Sequence, residues 1–149
     1  YVWATRSAPK HLDHRNGYVY NPLYIVAAAS YMKWENDAQD FLNTYDANGE
    51  RLLDKLRRAF DYMMNYEKGQ QGLMVITDPK HNGKPGSFAS NYWDNWQCFG
   101  YKSPYENTYF YRPLYAMADI EKTAGDPSKA EFYKKLAEQV KANYDKEFW

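Results

Sequence analysis

The chain has 149 residues, enough for one domain with a core, and its 44% hydrophobic and 26% charged content is that of a soluble globular protein. Nineteen basic residues balance nineteen acidic ones, so no cationic surplus exists to neutralise phosphates, and neither nucleic acid nor an anionic membrane is an expected partner. No apolar run approaches the roughly 18 residues of a membrane span. The single cysteine, Cys98, permits neither an internal disulfide nor a cysteine-built zinc site and leaves the compartment open.

Residues 1–20 carry Pro9 and an Asn16-Gly17 turn pair without sustained periodicity, so a loop is expected there. Asn21-Pro22 reads as a helix cap followed by proline at the first helical position. From it Tyr24, Ala27, Ala28, Tyr31, Trp34, Ala38, Phe41 and Leu42 recur at helical steps, predicting one apolar face down to about Asn43, with Asn36-Asp37 as an interruption. After the Asp46–Gly49 turn, Leu52, Leu53, Leu56, Phe60, Met63 and Met64 draw a second helical stripe that stops near Lys68-Gly69. Arg51, Lys55, Arg57 and Arg58 lie mostly off that stripe.

Gly72–Thr77 is a short apolar run compatible with a buried extended segment, and residues 78–103, with three glycines and two prolines, predict a long loop. Ser103-Pro104 restarts a helix whose buried face is Phe110, Pro113, Leu114, Met117, Ile120 and Ala124. It ends at Ala124-Gly125, and Asp126-Pro127 opens a last helix carrying Phe132, Leu136, Val140, Tyr144 and Phe148 at four-residue spacing. The expected fold is all-α: four long helices in two antiparallel hairpins, with long loops gathered at one end.

The deviation from ordinary composition is aromatic, with 16 Tyr, 7 Phe and 5 Trp. It is concentrated in Ser90–Tyr111, SNYWDNWQCFGYKSPYENTYFY, where Asp94 stands between Trp93 and Trp96 just ahead of a helix. Indole rings strip water from a carboxylate, raise its pKa and let it hold a proton near neutrality, as a general acid must. Aromatic faces also stack on sugar rings, which makes Tyr92, Trp93, Trp96 and Tyr105 candidate substrate-binding walls. The plainer reading of Asp94 is a turn carboxylate among core tryptophans. Lys102 and Glu106 are four apart and close enough to pair; together with Asn107 they are candidates for contacts to sugar hydroxyls, or equally an exposed ion pair at a helix start.

His11, Asp13 and His14 form a polar cluster, but Pro9 and Asn16-Gly17 argue against the helix that would align the two histidines, and His81 stands alone in a glycine-rich loop. No metal and no cofactor are expected. Phosphate-loop, dinucleotide-binding and nucleophile-elbow motifs are absent, and no histidine near Cys98 suggests an activated thiol.

Asn91-Tyr92-Trp93-Asp94, Phe99-Gly100-Tyr101-Lys102 and Tyr105-x-Asn107 opening a helix that closes on Ala124-Gly125-Asp126 resemble the six-hairpin glycosidases. These are (α/α)6-barrel enzymes that include α-L-rhamnosidases and amylo-α-1,6-glucosidases. Asn16-Gly17-Tyr18 through Asn21-Pro22 and Gly72-Leu73 also look like that group, although the specific part of the likeness is confined to residues 91–107. The resemblance implies a barrel of which four helices are present, a cleft at one end, hydrolysis of α-linked glycosides, and Asp94 as the acid or as a sugar-holding carboxylate. It also implies a second carboxylate, at about 6.5–9.5 Å in an inverting enzyme, and no second acid here sits in a comparable aromatic setting. The chain, beginning at Tyr1 and ending within a helical pattern at Phe148-Trp149, reads as a piece of a larger catalytic domain. Expected partners are a carbohydrate substrate and the remainder of the barrel, in the same or another chain. The alternative is a helical domain that binds carbohydrate without cleaving it, or binds another protein; a bare bundle core leaves the loop aromatics unexplained.

Overall fold

The computed structural model describes residues 17–66, 68–75 and 102–149, with side chains from Asn21 onward, Tyr66 excepted. Helix α1 spans Gly17–Met32, α2 Ala38–Leu42 and α3 Leu52–Asp61, which continues as a π-helical turn over Tyr62–Tyr66. A 3₁₀ turn follows at Gly69–Gln71, then α4 at Pro104–Thr123 and α5 at Pro127–Phe148. Among the described residues there is no strand, only an isolated antiparallel bridge between Tyr45 and Arg51 that closes the turn before α3. The fold is all-α, as the periodicity predicts.

The side-chain contacts give the direction of each helix. Arg57 of α3 meets Glu121 near the end of α4, while Gly69, just beyond α3, lies against Phe110 near the start of α4, so α3 and α4 are antiparallel. Helix α5 returns along α4 after a tight turn in which Gly125 takes φ +90°, and Lys102 meets Glu147 at the far end. Helix α1 packs more extensively on α4 than on α3, and Lys33, just past its end, pairs with Asp119 at 3.2 Å. Contact of that extent together with that pairing requires α1 and α4 to run parallel. At about 1.5 Å per residue, Asn21 and Asn107 both lie about 18 Å back from the Lys33–Asp119 pair. The order is therefore up, down, up, down for α1, α3, α4 and α5, and the starts of α1 and α4 share one end.

One core joins all four. Phe60, Phe110, Ile25, Leu56, Met63, Leu114, Met117 and Ile120 are fully enclosed, each contributing on the order of 2 kcal/mol by leaving water. The α3 stripe is as expected in Leu53, Leu56, Phe60, Met63 and Met64, with Ala59 added. Elsewhere the structure corrects the sequence reading. Helix α1 starts at Gly17, with Pro22 inside it, and stops at Met32; Asp37 then caps the short α2 by accepting from the Asp40 N–H at 2.8 Å. The buried face of α1 is Ile25, Ala28, Ala29 and Met32, whereas Tyr31 faces out, as does Trp34 just past the helix. With no charged residue between Gly17 and Met32, periodicity has no polar side against which to fix the face. In α5, Phe132 is exposed and its neighbour Tyr133 packs instead on Phe60, edge to face at 4.8 Å. The expected extended run keeps Leu73, Met74 and Val75 buried but forms no strand, and its last residues lie outside the described ones.

Gly69 marks a close approach. A Cβ there would stand 2.8 Å from the Met63 carbonyl oxygen and 2.5 Å from Phe110 Cζ. Because one of those neighbours is backbone, Gly69→Ala is expected to destabilise the fold by about 1–3 kcal/mol, measurable as a lower urea midpoint with an unchanged slope.

Candidate functional site

The two ends of the helical layer differ in how their polar groups are satisfied. At the end holding the short turns, no buried side-chain polar atom among the described residues lacks a partner. Asp126 caps α5 by accepting from the Lys129 N–H at 3.0 Å, and Asp37 caps α2. Glu121, wholly buried, accepts two hydrogen bonds from the Arg57 guanidinium, at 2.9 and 2.6 Å. Asp46 pairs with Lys55 and Glu50 with Arg58. Burial, helped by Glu121 and Asp61, pushes the Tyr133 hydroxyl up to about 12, so that ring packs there as a neutral group.

At the opposite end the chain enters segment 76–101 through Val75 and leaves it through Lys102, and residues 1–16 join α1 at Gly17. Asn107 fastens this end. Its side-chain oxygen accepts from the Met74 N–H at 2.7 Å, and its amide nitrogen donates to the carbonyls of Met74 at 3.1 Å and Ser103 at 2.9 Å. Asn143 of α5 adds a longer bond, 3.4 Å, to the Gly72 carbonyl. Thus α4 and α5 together hold residues 72–75 in place without a strand.

The same end carries polar atoms that have no partner. Asn21 (1% exposed), Ser103 (4%) and Glu106 (0%) are all but sealed from solvent. Both amide atoms of Asn21, the Ser103 hydroxyl and both Glu106 carboxyl oxygens make no hydrogen bond. An unmade hydrogen bond on a buried group costs about 1–3 kcal/mol, so five such atoms at one end are a concentrated cost. Their positions follow from helical register. Asn21 extends the Ile25–Ala28–Ala29–Met32 face of α1 by one turn, and Glu106 extends the Phe110–Pro113–Met117 face of α4 by one turn. Each interior stripe is therefore apolar along its length and polar at its top.

Ser103-x-x-Glu106 has the spacing of a capping box, in which each side chain would take the other residue's backbone N–H. The box is open: the Ser103 side chain makes no capping bond. Burial pushes the Glu106 carboxyl up to about 7; the nearby Ser103 hydroxyl and the residue's own N–H oppose the rise but reach no hydrogen-bonding geometry. A carboxyl that changes charge near neutrality, beside a hydroxyl, can give or take a proton.

The sequence-predicted site residues divide as follows. Lys102, Tyr105 and Asn107 lie at this end. Lys102 meets Glu147 at 2.9 Å, and not Glu106, its expected partner. Tyr105 is exposed and its ring contacts Tyr109, with centroids 5.0 Å apart. Asn107 is fully buried with its amide committed to backbone. Asp94, Tyr92, Trp93 and Trp96 lie outside the described residues, as do His11, Asp13, His14, His81 and Cys98. Glu106 is the residue that sequence reasoning undervalues. The signal for it is present twice, in the Ser-x-x-Glu spacing and in its place on the Phe110 stripe. Among the described residues no helix is long and apolar enough to cross a membrane. Compared with known proteins, the chain matches no family model, no curated protein and no solved structure.

Proposed function

We propose that this chain forms part of a helical-hairpin domain that hydrolyses α-linked glycosides by acid/base catalysis. Asp94 acts as general acid or sugar-holding carboxylate, and Tyr92, Trp93, Trp96 and Tyr105 are stacking walls. As acid, Asp94 passes its proton to the leaving glycosidic oxygen while water adds at the anomeric carbon. The observation that carries the reading is where the aromatic segment is rooted. Residues 76–101 join the fold at Val75 and Lys102, at the end where, among the described residues, Asn21, Ser103 and Glu106 are buried without partners, and Asn107 fixes that root through Met74. In this reading Asn107 and the Lys102–Glu147 pair position the segment.

The test is a titration of tryptophan emission with methyl α-glycosides and oligosaccharides, followed by hydrolysis of 4-nitrophenyl α-glycosides. Saturable binding is expected, with hydrolysis that Asp94→Asn lowers by about a hundredfold or more without abolishing binding. Unaltered turnover in that variant removes Asp94 from catalysis. Saturable binding without hydrolysis above buffer leaves a carbohydrate-binding domain.

A protein-interaction role has its own supporting observation. Helix α1 carries no charge, yet Leu23 and Tyr31 stand exposed along it and Trp34 just past its end. Concentration-dependent sedimentation together with an absent sugar response selects this second reading.

A further inference from the structure

Among the described helices α1 to α5, only α1 presents an outward face without a charge. Leu23, Ala27, Ser30 and Tyr31 stand exposed on it, flanked by the half-buried Tyr24 and Val26. Two details fit this face for leaving water. The Ser30 hydroxyl donates to the Val26 carbonyl at 2.8 Å, so it can be covered without a further hydrogen-bond partner. The Tyr31 ring rests on Phe41, with centroids 4.9 Å apart, and is held in place before any partner arrives. Lys33, the first charge beyond the helix, is turned aside to Asp119 of α4.

Charge and register bound what can cover this face. The outward faces of α3, α4 and α5 carry Asp54 and Asp61, Arg112 and Lys122, and Lys134 and Glu138, each of which would lose hydration against an uncharged surface without a compensating partner. Among the described surfaces, the α1 face is therefore matched only by itself. Its sequence is also nearly symmetric about Ala27: Leu23 and Tyr31 lie four residues to either side, Tyr24 and Ser30 three. Two copies of α1 packed antiparallel, with a two-fold axis at Ala27, bring Leu23 of each onto Tyr31 of the other. The small Ala27 side chain at the axis lets the helices approach to about 8–10 Å, and the antiparallel setting opposes the two helix dipoles. A chain of zero net charge adds no long-range repulsion between copies.

We infer that the chain self-associates through α1 as an antiparallel two-fold dimer centred on Ala27. This rests on the protein-interaction reading above and names its partner as a second copy. Six residues from each copy line the contact, fewer than the roughly 20–30 a side of a standard interface. The dimer is accordingly weak, exchanging with monomer between about micromolar and millimolar concentration.

Sedimentation velocity of the full chain from about 10 µM to 1 mM reads the association, and cysteine cross-linking in a Cys98→Ser background reads its geometry. The unaltered chain is expected to shift toward dimer across that series. Ala27→Glu, which sets two like charges at the axis, is expected to weaken association at least tenfold with unchanged circular dichroism. Under mild oxidation Ala27→Cys is expected to cross-link to itself, and Leu23→Cys to Tyr31→Cys but not to a second Leu23→Cys, because a disulfide needs Cα atoms within about 7 Å. Should Ala27→Glu lose its fold, the cross-linking pattern decides alone. Leu23→Cys joined to itself in place of the mixed pair, or dimerisation that Ala27→Glu leaves unchanged, overturns the α1 dimer and leaves association through another surface or register. A chain that stays monomeric throughout the series overturns the dimer and, with it, the protein-interaction reading that sedimentation was to select.

Discussion

Glu106→Gln is expected to flatten the dependence of stability on pH between about 4.5 and 7 and to leave the variant more stable than the unaltered chain at pH 8. Burial raises the Glu106 carboxyl from 4.5 to about 7 in the fold. Between those values the folded chain keeps a proton that the unfolded chain has released. The stabilisation is therefore fully present below pH 4.5 and is lost as pH rises through about 7, the reverse of a salt-bridged carboxylate. Holding the proton across that window is worth about 1.4 kcal/mol for every pH unit, so the unaltered chain loses about 3 kcal/mol on crossing it. Glutamine keeps the shape, has no proton to release and cannot carry the charge. Urea unfolding at pH 4.5, 6 and 8 reads the difference. Parallel curves for the two proteins would show that Glu106 is solvated in the folded chain.

The second large effect is expected at the opposite end. Arg57→Ala leaves the wholly buried Glu121 carboxylate without the two guanidinium bonds it now accepts, and breaking a buried pair from one side costs about 3–5 kcal/mol. Most of that cost is the stranded charge, not the loss of a favourable bond. The double variant Arg57→Ala/Glu121→Leu is therefore expected to recover the greater part of it, because an apolar side chain at 121 suits the surrounding helices. A double-mutant cycle from urea midpoints gives the coupling energy directly. Additive losses in the double variant would show that the two residues act independently.

These two carboxylates also show what the sequence makes legible. The α3 stripe and the α4 stripe can be read because each alternates with charge, so that Leu53, Leu56, Phe60, Phe110, Leu114 and Met117 stand out against polar neighbours. Helix α1 can be recognised as helical but not oriented, since Tyr31 and Trp34 are as apolar as Ile25 and Met32. Glu106 and Glu121 look alike as acids in the first and last parts of one helix. Only their partners separate them: Arg57 comes from 64 residues earlier, and nothing comes for Glu106. The Lys102–Glu147 pair, 45 residues apart, is invisible for the same reason, and sequence spacing favours the nearer i,i+4 partner over it. Asn107 resembles a sugar contact because polarity at a helix start gives no hint that a backbone segment 33 residues upstream will lie against it. Long-range pairing of this kind depends on the antiparallel arrangement of α3 and α4, which the stripes imply only in outline.

The exposure of Trp34, just past α1, and of Trp149 has a practical consequence for spectroscopy. Trp34 is 88% exposed and Trp149 96% exposed, so two of the five indoles emit as solvated chromophores and supply a constant red-shifted background. A ligand-induced blue shift that survives Trp34→Phe and Trp149→Phe can come only from Trp3, Trp93 or Trp96, two of which flank Asp94. A shift abolished by Trp34→Phe alone reports instead that α1 has found a companion surface. The placement of two rings in water thus lets one optical signal distinguish sugar binding from association.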